Sequence, residues 1–123
     1  MIFKNCTFYN ENFEKEFGDI EVENGKIKQI GIIEKDGKDM SGYILIPGFI
    51  DVHIHGCAGG DASDADKDGL KKMAEELAKH GVTSYCPTSM TLPKDRLEKI
   101  VETISRYKKE AQSGSKIAGI NLE

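Results

Sequence analysis

Residues 46–61 read IPGFIDVHIHGCAGGD, and two of the chain's three histidines, His53 and His55, stand in this stretch one residue apart. Pro47-Gly48 cuts off an apolar run, and Gly56, Gly59 and Gly60 form a glycine-rich loop just after the histidines. Between these breaks, residues 49–55 read as a strand. Side chains alternate along a strand, so Asp51, His53 and His55 are expected on one face and Ile50, Val52 and Ile54 on the other. The aliphatic face suits packing under helices, whereas the other carries a carboxylate and two imidazoles. Residues two apart on a strand lie about 6.5–7 Å apart at Cα, which lets both imidazoles reach one ion at about 2.0–2.1 Å. Two histidines near a strand end could equally be satisfied polar groups. Three titratable groups sharing a face would be costly to bury without an ion, and this favours the ligand reading.

Downstream the rhythm is strand, helix, strand, helix, strand. A helix is predicted at about 67–80, with Leu70, Met73, Ala74, Leu77 and Ala78 on one stripe and Gly81 just beyond its end. Residues 82–87, VTSYCP, read as the second strand. The second helix opens at Pro93 and buries Leu97, Ile100, Val101, Ile104 and Tyr107. KIAGINLE, residues 116–123, reads as the third strand. Such a repeat implies parallel strands joined by right-handed crossovers, in a doubly wound sheet or a (β/α)8 barrel. A barrel usually takes about 250 residues and only 49–123 follow Gly48, so the chain reads as a fragment.

In α/β folds, functional sites lie at the C-terminal ends of parallel strands, where His53 and His55 fall. Glu123 ends the third strand at the same edge and shares a face with Asn121. A carboxylate there is a third candidate metal ligand, although by itself an acid at a strand end is weak evidence. His80 precedes Gly81 at a helix C-terminus, where an imidazole interacts favourably with the dipole, and is read as structural. Cys57 is read as a small residue of a tight loop rather than a ligand.

Upstream, residues 1–48 read as part of a small β-sheet layer. Asn24-Gly25 divides two short alternating runs, a strong hairpin signal because both turn positions need positive φ. IFKNCTFY, residues 2–9, alternates as a strand, and residues 34–42 are polar and glycine-bearing, hence a loop. A net charge of −4, with lysines and arginines spread among acids, argues against nucleic acid as a partner. No apolar run approaches the roughly 20 residues of a membrane span, and the first residues lack the pattern of a signal peptide. Three scattered cysteines without a CxxC fit reduced thiols in a cytoplasmic protein.

IPGFIDVHIHG resembles the opening motif of the amidohydrolase superfamily, metal-dependent hydrolases with a (β/α)8 barrel and a small accessory β-domain. HGCAGGD, GVTSYCPTSMT and IAGINLE are similar, within that superfamily, to the N-acetylglucosamine-6-phosphate deacetylases. The resemblance implies an α/β fold in which 1–48 belongs to the β-domain and 49–123 supplies the first three strands and two helices of an incomplete barrel. It implies His53, His55 and Glu123 as ligands of a divalent metal, zinc or iron. Some relatives replace the histidine pair and use one ion, so the retained pair suggests capacity for two. Asn121 departs from the histidine often found two residues before that glutamate. The implied substrate is an amino-sugar phosphate, N-acetylglucosamine 6-phosphate, cleaved to acetate and glucosamine 6-phosphate by a homodimeric enzyme. The catalytic acid/base, further ligands and the substrate-binding residues are expected beyond residue 123, so these 123 residues alone are expected to be inactive. Two alternatives stand beside this reading: an amidohydrolase acting on cyclic amides or N-acyl amino acids, and a non-catalytic binding module.

Overall fold

The computed structural model describes residues 1–110 and 113–123. The chain divides into two compact units, Met1–Pro47 and Gly48–Glu123, with the break at the Pro47-Gly48 pair.

In the first unit, β1 (Ile2–Tyr9), β2 (Lys15–Glu23) and β3 (Lys26–Gly31) form an antiparallel meander. The β2–β3 turn is the expected one, with Asn24 at φ 52° and Gly25 at φ 74°. Residues 34–42 are not wholly loop: β4 (Lys38–Asp39) pairs in parallel with Phe3 and Lys4. Two residues carry no periodicity, so only the neighbouring strand edge makes them a strand. A second short strand, β5 (Ile44–Leu45), also runs parallel to β1. Cys6, Phe8 and Ile20 form the small core, flanked by Phe3, Val22, Met40 and Leu45.

Asn5 takes φ 55° where the β1–β2 register shifts between Phe3 and Cys6. The Asp19 carboxylate holds this bulge together: it accepts Lys4 Nζ at 2.6 Å and the backbone N–H groups of Asn5 and Ile33 at 3.0 Å each. The Lys4 ammonium first, and then the two amides, pull the Asp19 carboxyl down from 3.8 to about 2. A depressed carboxylate contributes stability that is present above its unfolded value and is lost as pH falls through its folded one. The urea midpoint of this unit should therefore decline from about pH 4 toward pH 2, and Asp19→Asn should flatten that decline. Equal slopes in the two proteins would exclude Asp19 as its source.

The second unit is α/β. Its strands are β6 (Phe49–Ile54), β9 (Val82–Ser89), and the third strand, which comes in two pieces, β10 (Lys116–Ile117) and β11 (Asn121–Leu122). A short hairpin of β7 (Gly56–Cys57) and β8 (Gly60–Asp61) and a 3-10 turn, Ala62–Asp64, follow β6. Tyr85 pairs with both Asp51 and Ile117, which makes β9 the central strand, parallel to β6 on one edge and to β10 and β11 on the other. Helix α1 (Lys67–Lys79) starts at Asp66, whose carboxylate accepts from Asp68 N and Gly69 N, and ends at His80 and Gly81 (φ 79°). Helix α2 (Lys94–Lys108) follows Pro93.

Leu70, Met73, Ala74 and Leu77 of α1 and Ile100, Ile104 and Tyr107 of α2 close over Tyr85 and Ile117 in one core. Leu97 and Val101 are half-buried. Ala78, expected on the α1 stripe, is exposed; eight residues on from Leu70 it has rotated about 80° out of line.

The strict alternation expected of residues 49–55 fails. Three steps along β6, from Asp51 to Ile54, pair with only two along β9, from Tyr85 to Pro87. The extra residue is a bulge, and it moves everything beyond it to the opposite face. Asp51 and Ile54 consequently pair with same-face residues of β9; Ile54 packs on the helix-side core while Ile50 and Val52 are each 66% exposed. The third strand carries the matching irregularity. Four steps from Ile117 to Asn121 span three from Tyr85 to Thr88, which is why the expected strand 116–123 is interrupted. Ala118 N still donates to Tyr85 O at 2.9 Å across the gap.

Candidate metal centre

Both bulges lie near the C-terminal end of β9, and the residues just beyond them meet there. His53 and His55 bring their Nε2 atoms to 3.3 Å from each other. Glu123 places Oε1 3.9 Å from His53 Nε2 and Oε2 3.7 Å from His55 Nε2. All three predicted residues are thus brought together, with their ligand atoms within 4.8 Å of one another, and among the described residues this is the one group of its kind.

The donor set and its dimensions fit a divalent ion. Two imidazole nitrogens and a carboxylate oxygen suit zinc or ferrous iron. Bonds of about 2.0–2.1 Å at tetrahedral angles put neighbouring ligand atoms about 3.4 Å apart, close to the observed 3.3 to 3.9 Å. The side chains are partly open, at 50% exposure for His53, 34% for His55 and 44% for Glu123, so an ion has a path in.

The rings are aimed by their neighbours, of which sequence reasoning did not single out Thr88. His55 Nδ1 lies 3.1 Å from the carbonyl oxygen of Thr88. A carbonyl only accepts, so His55 carries its proton on Nδ1 and presents the Nε2 lone pair to the clamp. Thr88 is fully buried, and its hydroxyl also accepts from Ile54 N at 3.1 Å and donates to Cys86 O at 3.1 Å. Asp51, expected beside the histidines, instead turns its carboxylate onto the backbone N–H of His53 at 3.0 Å. Ahead of α1, Ala62 N donates to His55 O at 2.8 Å and ties the glycine-rich loop to the end of β6.

The other two candidates lie outside the clamp. His80 Nε2 is 3.2 Å from Glu76 Oε1, one turn earlier on α1, in an exposed pair. Cys57 packs against the core, 3.9 Å from Met73 O, and burial pushes its thiol pKa up, away from the thiolate a metal needs.

Comparison with known proteins gives four agreeing results. The chain is 39% identical over 94 residues to N-acetylglucosamine-6-phosphate deacetylase of Homo sapiens, covering 74% of the chain and 23% of that protein. It is 33% identical over 127 residues to the protein of that name from Lysinibacillus sphaericus, covering 100% of the chain and 33% of the relative. A crystal structure of N-acetylglucosamine-6-phosphate deacetylase from Thermotoga maritima superposes with a TM-score of 0.80 at 29% identity, over 99% of the chain and 31% of that structure. The chain therefore spans about a quarter to a third of the length of the relatives it matches. The family model described as the amidohydrolase family matches residues 44–122, which hold the whole β6–β9–β11 frame and both histidines of the clamp, and the chain belongs to that family.

Proposed function

We propose that the protein carrying this chain is a metal-dependent deacetylase that hydrolyses N-acetylglucosamine 6-phosphate to acetate and glucosamine 6-phosphate. The clamp of His53, His55 and Glu123 is the observation that carries the reading, since its three ligand atoms have the spacing of a divalent-ion site. The names of the relatives supply the substrate. In this reading the three side chains would hold a divalent ion, zinc or iron, with Glu123 supplying the carboxylate ligand, and the complete protein would take one or two such ions. A bound divalent ion supplies Lewis acidity toward the amide carbonyl and toward water.

The chain's own residues bind and orient. His55 is held by Thr88 O and His53 by Asn121 of the third strand, while Asp51 fixes the backbone at the His53 amide and the Thr88 hydroxyl fixes it between the two rings, at Ile54. The proton transferred to the leaving amine needs a further acid/base. Within these residues the Glu123 carboxylate faces the histidines and the Asp51 carboxylate accepts the His53 amide, so the acid/base, the substrate contacts and any remaining ligands are assigned to the rest of the protein. Residues 49–123 then form the opening βαβαβ section of a (β/α)8 barrel, and residues 1–48 part of its accessory β-domain. The exposed Ile50 and Val52 are branched residues of the kind that fill barrel interiors. A small anionic substrate, a homodimer and a cytoplasmic location complete the reading. A net charge of −4 is consistent with no role for nucleic acid, and no described helix is long and apolar enough to cross a membrane.

The test is acetate release followed by proton NMR, using the natural protein and N-acetylglucosamine 6-phosphate. Turnover should appear, stop on chelation and return with zinc or ferrous ion. Turnover of a cyclic amide or an N-acyl amino acid in place of the sugar phosphate would move the protein to another amidohydrolase activity, and binding without turnover of any of these would favour the non-catalytic module. The 123-residue chain alone should release no acetate; release that His53→Ala abolishes would overturn that assignment.

A further inference from the structure

Asn121 lies two residues before Glu123, and its carboxamide nitrogen is 3.2 Å from His53 Nδ1. Taken with the other contacts, this closes a chain of hydrogen bonds that all point the same way. Asn121 donates to His53 Nδ1; His53 then carries its proton on Nε2 and donates across 3.3 Å to His55 Nε2; His55 Nδ1–H donates to Thr88 O at 3.1 Å. With the carboxamide in this orientation every ring nitrogen is satisfied, and the proton of His53 lies between the two histidines.

An ion cannot enter that arrangement, because it needs the lone pair of His53 Nε2. A neutral imidazole that frees Nε2 must carry its proton on Nδ1, and the atom facing Nδ1 must then be an acceptor. For His55 the acceptor is already in place. For His53, a half-turn of the Asn121 carboxamide exchanges its nitrogen for its oxygen without moving the backbone. Among the described residues the Asn121 side chain makes no other hydrogen bond that this turn would break.

We propose that Asn121 is a positioning residue whose carboxamide reverses on metal binding, so that its oxygen accepts the Nδ1–H of His53 and fixes the tautomer that offers Nε2 to the ion. The proposal rests on the metal site of the preceding reading. No net proton is released by the exchange: His53 loses one from Nε2 and gains one on Nδ1. A carboxamide is suited to both states because it holds a donor and an acceptor at nearly the same place. Leucine, of similar shape, holds neither. Aspartate holds only acceptors when ionised and keeps the metal-bound arrangement.

Two measurements on the natural protein test this: zinc affinity by competition with a chromophoric chelator, and the His53 tautomer by long-range proton–nitrogen NMR. His53 should be protonated at Nε2 without metal and at Nδ1 with zinc. Asn121→Leu should weaken zinc about 10- to 100-fold, the cost usual for losing a hydrogen-bonded neighbour of a ligand, while Asn121→Asp should bind at least as tightly as the natural protein. Zinc affinity unchanged within twofold in Asn121→Leu, or ligation of zinc through His53 Nδ1, overturns the proposal while leaving the metal site standing. Failure of the natural protein to bind zinc at His53 and His55 overturns the metal site itself, and the proposal with it.

Discussion

Replacing His53 and His55 together by alanine should leave the natural protein with less than about a tenth of its bound metal. Losing a hydrogen-bonded neighbour of a ligand typically costs 10- to 100-fold in affinity, and this change removes two of the three clamp ligands themselves. The two imidazoles face each other at 3.3 Å, so no single residue can take over both positions. Both side chains are substantially exposed, at 50% and 34%, and neither belongs to the hydrophobic core. The loss should therefore fall on metal binding far more than on folding. Metal per chain, measured by mass spectrometry after gel filtration, reads the effect directly. Added zinc should also raise the melting temperature of the natural protein, as any ligand of the folded state does, and leave the variant unmoved. Unchanged metal content would remove the pair from the site.

Gly60→Ala should destabilise the protein by about 3 kcal/mol, near the upper end of what overpacking costs. A methyl group at Gly60 would stand 2.3 Å from the Gly69 carbonyl oxygen, 2.7 Å from its carbon and 2.9 Å from its Cα. All three are backbone atoms in the first turn of α1, and that turn is pinned by the Asp66 cap. Nothing there is a flexible side chain able to move aside. Gly59 is the natural comparison: it has φ 78° and open space around its Cβ position, so Gly59→Ala carries only the left-handed backbone penalty of about 1–2 kcal/mol. The Gly60 variant should also bind zinc more weakly, because the loop it distorts is tied to His55 through Ala62. A urea midpoint for Gly60→Ala no lower than that of Gly59→Ala would show that the loop and helix separate easily, contrary to the close packing between them.

Much of this was legible from local signals. Asn24-Gly25 announced its hairpin because only a few residues tolerate two successive positive φ values. The stripes of α1 and α2 followed from a period set by the helix itself, failing only at Ala78 where the period drifts. His53, His55 and Glu123 were identifiable as a set because few other side chains bind a divalent ion. Thr88 carried no such signal, and Asn121 only its place on the face of Glu123. Thr88 serves the site with a backbone carbonyl, which every residue has, and Asn121 acts on a ring 68 positions away. Asp51 was placed beside the histidines by a rule of alternation that the bulge breaks.

The sequence by itself determined the longer elements and which chemistry is available: periods of two and of 3.6, turn residues, and two imidazoles with a carboxylate. Whether those groups meet was decided by tertiary structure. Glu123 is 68 residues from His55, and the distance closes only because both flanking strands pair with β9 in fixed register. The extra residue in each flanking strand, one between Asp51 and Ile54 and one between Ile117 and Asn121, re-aims the side chains beyond it. A bulge depends on how one strand's length matches another's, and that is a property of the pair, written in neither segment alone.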